Sequence, residues 1–357
     1  MQNDSIVSIL EEIKGARSIA FTGHMRPDGD CYGSVLGLYT YIKENKDIFN
    51  NLEVADIFLW KNDLVDEFQS GGLVKIASLT NVHSYDLLIA CDSSSTDRID
   101  AWDLLKSHSS RVIVIDHHIT NLGYGDLNYI KDVSSTCEVL FDFIDLDRIS
   151  AEVAKCLYFG ILTDTGGFRF SMTKRKTMEL AGFCIERGNL DTESIMGRAF
   201  DVKTPEFYRL LGIALLMTEY YKLSNIQSLS SWNLSIAYVF LDKKTLYKLG
   251  YTKPEKARIE NIPAMLKSTN GCIASVTVTE LSNSNLRVSL RCNNKLDVAV
   301  IASQYQGGGG HKTAAGLDIR LESNKSKHEQ VVKFVEIVAK ELANQINTQG
   351  LTLRDFS

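Results

Sequence analysis

The sequence predicts two α/β domains in series, and three observations predict them. Four short apolar runs near the N-terminus, "RSIAFTGH", "EVADIFLW", "YDLLIACD" and "RVIVIDHH", have the length and β-branched content of strands covered on both faces. Segments with apolar residues at helical spacing alternate with them, which is the pattern of a parallel sheet. Beyond residue 231 a second set of strand-like runs begins, with its own closing helix.

Taken in order, "RSIAFTGH" is the first strand, and "CYGSVLGLYTYIKEN" follows it as a helix. "EVADIFLW", "YDLLIACD" and "RVIVIDHH" supply three further strands. "STCEVLFDFI", "SAEVAKCLYFGILTDT" and "TKRKTMELAGFCIERG" read as helices. "TPEFYRLLGIALLMTEYYKL" is one long helical stretch without a strand partner, so it predicts a connector. Then "LSIAYVFL", "CIASVTVTEL" and "NLRVSLRC" read as strands, "DVAVIASQYQ" as a helix, "GGGGH" as a loop and "AAGLDIRL" as a strand. "HEQVVKFVEIVAKELANQIN" closes the chain as a helix. The expected boundaries are 1–189 for the first domain, 190–231 for a helical linker and 232–357 for a smaller second domain.

At 357 residues the chain is long enough for two real cores. A net charge of −5 argues against a broad basic surface for long duplex nucleic acid, while leaving room for a small nucleotide in a locally basic pocket. No apolar run approaches the roughly 18 residues that span a membrane. The polar, acidic start "MQNDSIVSILEEIKGARS" does not read as a signal sequence. Seven scattered cysteines contain no CxxC pair, so neither a disulfide framework nor a structural zinc site is indicated. These features predict a reduced, cytoplasmic protein.

In open α/β sheets, sites form outside the carboxyl ends of the strands. Four acidic clusters fall at or near element ends: His24-x-x-x-Asp28-x-Asp30, Asp92, Asp116-His117-His118, and Asp164 in "GILTDTGGF". Gathered in one cleft without counter-ions, these carboxylates would repel one another strongly, and several would stay protonated. Divalent cations remove that conflict. Carboxylate oxygens with imidazole suit Mn²⁺, and also Fe²⁺, Mg²⁺ or Zn²⁺. Two ions about 3.5–4 Å apart form the clamp used in phosphoryl hydrolysis. Asp28 and Asp30 stand two apart in what reads as an extended turn, so that one leans toward each ion.

The stretches "HMRPDGDCYGS", "ACDSSSTDRI", "IDHH" and "GILTDTGGFRFSMT" together resemble the DHH phosphoesterase superfamily. The later "LRVSLRCN" and "DVAVIASQYQGGGGHKTAAG" are similar to its DHHA1 domain. The resemblance spans His24 to Gly316 and points to the compact branch of nano-RNases and pAp phosphatases. It implies an N-terminal parallel-sheet DHH domain and a smaller α/β DHHA1 domain. It implies that His24 and Asp28 hold one ion, Asp30, His117 and Asp164 the other, with Asp92 bridging. Asp116 would support this set and His118 would contact phosphate, on the catalytic side of the site. The attacking water would be activated by two divalent cations, Mn²⁺ foremost, with Mg²⁺, Fe²⁺ or Co²⁺ as alternatives. Gly33 matches the start of a family helix, and Ser34 reads as its cap. Arg98 either neutralises phosphate or pairs with Asp97 or Asp100. Cys31, Cys91 and Cys292 read as packing residues, since a thiolate would disturb a hard, oxygen-rich site.

Four consecutive glycines let a backbone approach a phosphate or base edge without interference from a Cβ. Gly308, Gly309, Gly310 and His311, with Lys312, are similar to the family's substrate-recognition loop, and Arg291 is the matching arginine on a strand. Its guanidinium can hold a phosphate bidentately. The resemblance then implies hydrolysis of short oligoribonucleotides to mononucleotides and removal of the 3′-phosphate of pAp. It also allows a homodimer. The alternatives are a phosphodiesterase of cyclic dinucleotides or their linear products, and a nucleotide-binding regulator with a dead site.

Overall fold

The structure is a computed structural model; it describes residues 3–60, 79–201, 205–224, 234–251, 261–282, 284–305 and 307–356. The chain divides into two compact units, Met1–Val202 and Lys203–Ser357.

The first unit is built on five parallel strands: β1 (Ser18–Thr22), β2 (Val54–Phe58), β3 (Tyr85–Cys91), β4 (Ser109–Asp116) and β5 (Leu127–Ile130). They lie in the order β2-β1-β3-β4-β5. Alternate side chains go to opposite faces, so each strand feeds two cores. Ile19, Phe21, Ile89, Ile113 and Ile115 join the large core beneath the helices Gly29–Glu44 and Ala151–Asp164. Ala20, Leu88, Ala90, Val112 and Val114 pack on the other face, with Leu105 of the helix Trp102–Ser107. Burial on both faces explains why these strands read as continuous apolar runs. Successive connections run from β1 outward to β2 and then back past β1 to β3. Strand order therefore reverses between β1 and β3, which is where such sheets open a crevice.

Two helices on the large-core face touch along a seam of glycines. Gly29, Gly33 and Gly37 recur every four residues and so share one face of Gly29–Glu44. A Cβ on Gly33 would stand 2.5 Å from the Cys156 carbonyl oxygen, and one on Gly37 3.4 Å from Cys156 and Leu157. A Cβ on Gly29 would strike Thr163. Gly33→Ala must therefore push two packed helices apart, at a cost of about 1–3 kcal/mol. Thermal unfolding in excess chelator should show that loss directly; an unchanged Tm would mean that the seam has slack. The helix starts earlier than expected: Asp28 is its N-cap, accepting from the Asp30 and Cys31 amides. Gly33 is thus interior, and Ser34 is not a cap; its hydroxyl bonds the Cys31 carbonyl. The expected extended turn at Asp28–Asp30 is replaced by a cap and a first helical turn.

The second unit carries a mixed sheet: β6 (Glu219–Lys222), β7 (Ser235–Leu241), β8 (Cys272–Ser282), β9 (Asn285–Cys292), β10 (Gly309–His311) and β11 (Ala314–Arg320). The order is β10-β11-β9-β8-β7-β6, with only the β7–β8 pair parallel. Ile236, Val276, Val278, Val288, Leu290 and Leu317 face the helix Lys327–Gln349, whose buried stripe includes Val331, Val335, Val338 and Leu342. Val239 and Leu241 face Leu246, Ile262 and Leu266 on the other side.

The described parts of 190–231 do not form a free helical connector; residues 202–204 and 225–231 lie outside the described residues. The helix Pro205–Leu216 seats Leu210 and Ala214 against Val239 and Leu241, so it is part of the second unit. The following "EYYK" is β6, held to β7 in antiparallel register, with the Tyr238 hydroxyl donating to Glu219 at 2.6 Å. Aromatic, edge-strand content there outweighs the helical spacing that precedes it. "GGGGH" is not a loop throughout: Gly309–His311 is the edge strand β10. Two other expected helices are short, Thr136–Leu140 and Ala299–Ala302. β5 and the helix Trp102–Ser107 were not anticipated.

Candidate metal centre

β1, β3 and β4 end side by side, and each delivers ligand-type side chains just beyond its last residue. His24 follows β1 and is pinned by an isolated bridge to Ile99. Its Nδ1 meets the Met25 carbonyl at 2.9 Å, leaving Nε2 for the centre. Asp92 follows β3 with φ 54°, a left-handed backbone that aspartate tolerates better than most residues. Asp116 closes β4, and His117 and His118 come next. Asp28 and Asp30 arrive from the N-terminal turn of one helix, and Asp164 ends another.

These side chains converge. Asp92 is splayed between two imidazoles, its Oδ2 at 3.5 Å from His24 Nε2 and its Oδ1 at 3.5 Å from His117 Nε2. His24 Nε2 also stands 3.6 Å from Asp28 Oδ1, and His117 Nε2 stands 3.2 Å from Asp164 Oδ2. Donor atoms of Asp30, His117 and Asp164 lie within 4.8 Å of one another, as do those of His24, Cys31 and Asp92. A third overlapping set joins Asp92 and Asp116 with His117 and His118. Cys31 shares one set but is a poor ligand, because burial and then the charge of Asp92 raise its thiol well above the ordinary range.

The electrostatics have the signature of a site short of positive charge. Burial, then the charge of Asp92, pushes Asp30 up to about 7. Asp164 is raised well above the carboxylate range by burial and then by Asp30 and Asp92. Burial disfavours charge on His24, yet hydrogen bonds to Asp28 and Asp92 carry it up to about 10. Hard oxygen donors and imidazoles, crowded and mutually repelling, fit divalent cations.

Asp116 plays a different part. Burial opposes its ionisation, but His118 and Asn121 hold it below the usual carboxylate range. An ionised carboxylate only accepts, so His118 donates to it from Nδ1 at 2.7 Å. Asn121 donates to the other Asp116 oxygen at 2.7 Å and also to the Ser93 carbonyl at 3.0 Å. Arg98 is exposed, forms no ion pair with Asp97 or Asp100 among the described residues, and lies close enough to lower the basicity of His118. Asp100 instead accepts from the Trp60 indole.

The residues expected to grip substrate lie in the second unit, on neighbouring strands. Arg291 of β9 pairs with Ala314 of β11, and Ala314 pairs with His311 of β10. The Arg291 guanidinium donates to the Leu290 carbonyl at 2.9 Å. The side chain of His311 lies outside the described residues. Gly308 presses on the Ala302 carbonyl, and Gly310, at φ 143°, would put a Cβ 2.5 Å from the Ala314 oxygen. Gly307 and Gly309 have open space where a Cβ would stand. Gly308 and Gly310 are therefore required by packing, whatever else the strand does.

Sequence reasoning missed Thr136 and Asn121, both buried and bonded to the acidic residues. The signal available for Thr136 was a hydroxyl opening a short helix; nothing in "NLGYGD" singles out Asn121.

Residues 18–161 match the DHH family, N-terminal domain, and residues 235–344 match the DHHA1 domain. The chain is 29% identical to a probable bifunctional oligoribonuclease and PAP phosphatase NrnA of Streptococcus mutans, over 92% of this chain and 98% of that protein. It is also 29% identical to the bifunctional oligoribonuclease and PAP phosphatase NrnA of Bacillus subtilis, over 83% of this chain and 87% of that one. Among solved structures, an exopolyphosphatase-related protein from Bacteroides fragilis superposes with a TM-score of 0.79 at 22% identity, covering 95% of this chain and 96% of that one. That likeness extends the fold assignment to both units. With an acidic and histidine-rich centre at the reversal of a parallel sheet, and a mixed-sheet unit after it, the chain carries a DHH family, N-terminal domain followed by a DHHA1 domain.

Proposed function

We propose that this protein is a metal-dependent phosphoesterase that hydrolyses short oligoribonucleotides to mononucleotides and also removes the 3′-phosphate of pAp. One observation carries the reading: buried Asp92 divides its two oxygens between His24 and His117, as a carboxylate shared by two cations must. Two relatives of similar length, S. mutans and B. subtilis NrnA, carry both activities in their names.

His24 and Asp28 would hold one cation, Asp30, His117 and Asp164 the other, with Asp92 common to both. When bound, such a pair of ions polarises a phosphoryl group and readies water for attack. The rest falls to this chain. The Asp116 carboxylate outweighs burial and keeps His118 more basic than usual, so its imidazolium suits a phosphate oxygen. Arg98 adds a second positive group beside it. Asn121, itself anchored on the Ser93 carbonyl, fixes Asp116 and so keeps His118 from turning. Arg291, Gly308 and the strand Gly309–His311 are proposed as the nucleotide contacts of the second unit. Seven free cysteines suit a reducing compartment, and we place the protein in the cytoplasm. Among the described residues no helix is long and apolar enough to cross a membrane.

The test is a substrate panel with Mn²⁺: a linear dinucleotide, pAp, a cyclic dinucleotide and a 20-mer RNA. Under single-turnover conditions the dinucleotide should be cleaved at least about tenfold faster than the 20-mer, since each tenfold step reflects about 1.4 kcal/mol of differential binding in the transition state. Faster turnover of the 20-mer would overturn the length preference. Preferred turnover of the cyclic dinucleotide would replace the substrate, and binding without turnover of any member would make the protein a regulator.

A further inference from the structure

The buried helix start at Thr136 lies against both halves of the acidic centre. Its backbone N–H donates to Asp30 Oδ2 at 2.6 Å, and its hydroxyl donates to Asp92 Oδ1 at 3.1 Å. The next amide, Cys137, donates to the other Asp30 oxygen at 2.9 Å. One residue therefore bonds carboxylates that belong to different donor sets.

The turn that presents Thr136 is itself held rigid. Ser135 caps the helix by accepting from the Glu138 amide at 3.0 Å. The Glu138 carboxylate, buried, accepts from the Ser134 hydroxyl at 2.5 Å and from the Thr177 hydroxyl at 2.8 Å. Thr177 belongs to the helix Arg175–Gly188, so the turn is tied to a separate element. Thr136 has no exposed surface, and a β-branched side chain has few rotamers to choose from. Its hydroxyl is thus aimed at Asp92 by construction.

We propose that Thr136 is a positioning residue that couples the two cation positions: it sets the tilt of the shared carboxylate Asp92 relative to Asp30, so that filling one position prepares the other. Outer partners of this kind typically change metal affinity or activity by about 10–100-fold when removed. The amide bond to Asp30 survives any substitution; only the hydroxyl bond to Asp92 is side-chain dependent. The inference rests on the metal-dependent reading above.

The experiment is a calorimetric Mn²⁺ titration of the full-length, metal-stripped protein as wild type, Thr136→Val and Thr136→Ser, followed by steady-state turnover of a dinucleotide. Thr136→Val keeps the shape and deletes the donor. It should weaken Mn²⁺ binding by about 10–100-fold and lower kcat with little change in KM, and Thr136→Ser should recover wild-type affinity to within about threefold. A Val isotherm matching wild type, or a Ser variant as weak as Val, overturns the coupling role. Wild-type protein that binds no Mn²⁺ overturns the metal reading itself and is distinguishable on the first titration. If Thr136→Val shows no cooperative unfolding, Thr136→Ala against Thr136→Ser makes the same comparison.

Discussion

Asp92→Ala is expected to abolish hydrolysis, lowering kcat on a dinucleotide by about 10³-fold or more, equivalent to about 4 kcal/mol or more of transition-state stabilisation. Among the described residues no other carboxylate lies within 4 Å of both the His24 and His117 imidazoles, so none of them can replace it. Elemental analysis should show fewer bound cations, while pAp binding is expected to persist through the contact proposed for Arg98. The same substitution should have the opposite effect on the metal-stripped fold. Asp92 is buried, and its charge helps to raise both Asp30 and Asp164. Its removal relieves that repulsion, so chelated Asp92→Ala should unfold no earlier than chelated wild type. Retained hydrolysis would remove Asp92 from the centre. A folded variant that loses nucleotide binding as well would show that the ligand is anchored through the cations alone.

The second large effect is a reversal of pH dependence on metal removal. Asp30 titrates near 7 in the fold against an ordinary 3.8, and His24 near 10 against 6.5. Both are raised, so each contributes stability that is complete below its unfolded value and is lost as pH rises through its folded value. Asp28 and Asp116 are lowered and behave in the opposite sense, losing their contribution only as pH falls below the ordinary carboxylate range. Between about pH 4 and pH 10 the chelated protein should therefore lose stability as pH rises. Cation binding needs the same groups deprotonated, so the loaded protein should gain stability as pH rises toward neutrality. Thermal unfolding at pH 5.5 and pH 8, with chelator and with Mn²⁺, should give slopes of opposite sign, each amounting to several degrees, roughly what a few kcal/mol produce. Parallel slopes would mean that the cluster is neutralised by something other than a cation.

Much of the first unit was legible because its strands are buried on both faces and end in acidic residues, a pattern that survives in one dimension. His24, Asp92 and His117 could be placed by strand-end logic alone, since parallel strands deliver their ends to one edge. Asp28 was misplaced locally, as a turn residue instead of a cap, because an Asp-Gly-Asp run reads equally as either. Where the reading failed, packing overrode local pattern. "EYYK" continues a helical spacing but is claimed by the open edge of β7. The four glycines look like a loop, yet the absence of side chains is what lets β10 lie flat against β11 and the Ala302 carbonyl. Thr136 was illegible for a different reason: its partners, Asp30 and Asp92, are 106 and 44 residues away.

The seam of Gly29, Gly33 and Gly37 has a consequence for ion choice. Asp30 and Asp164 ride on the two helices that meet there, backbone against backbone, and a Cβ on Gly160 would come within 2.7 Å of the Asp30 carboxylate. Their separation is therefore dictated by main-chain contact, not by the flexibility of the carboxylates. A larger cation such as Ca²⁺ asks for more oxygens at longer reach, so it is expected to bind more weakly than Mn²⁺, because spreading these two groups means prising the helices open. The glycines are the gauge of that spacing.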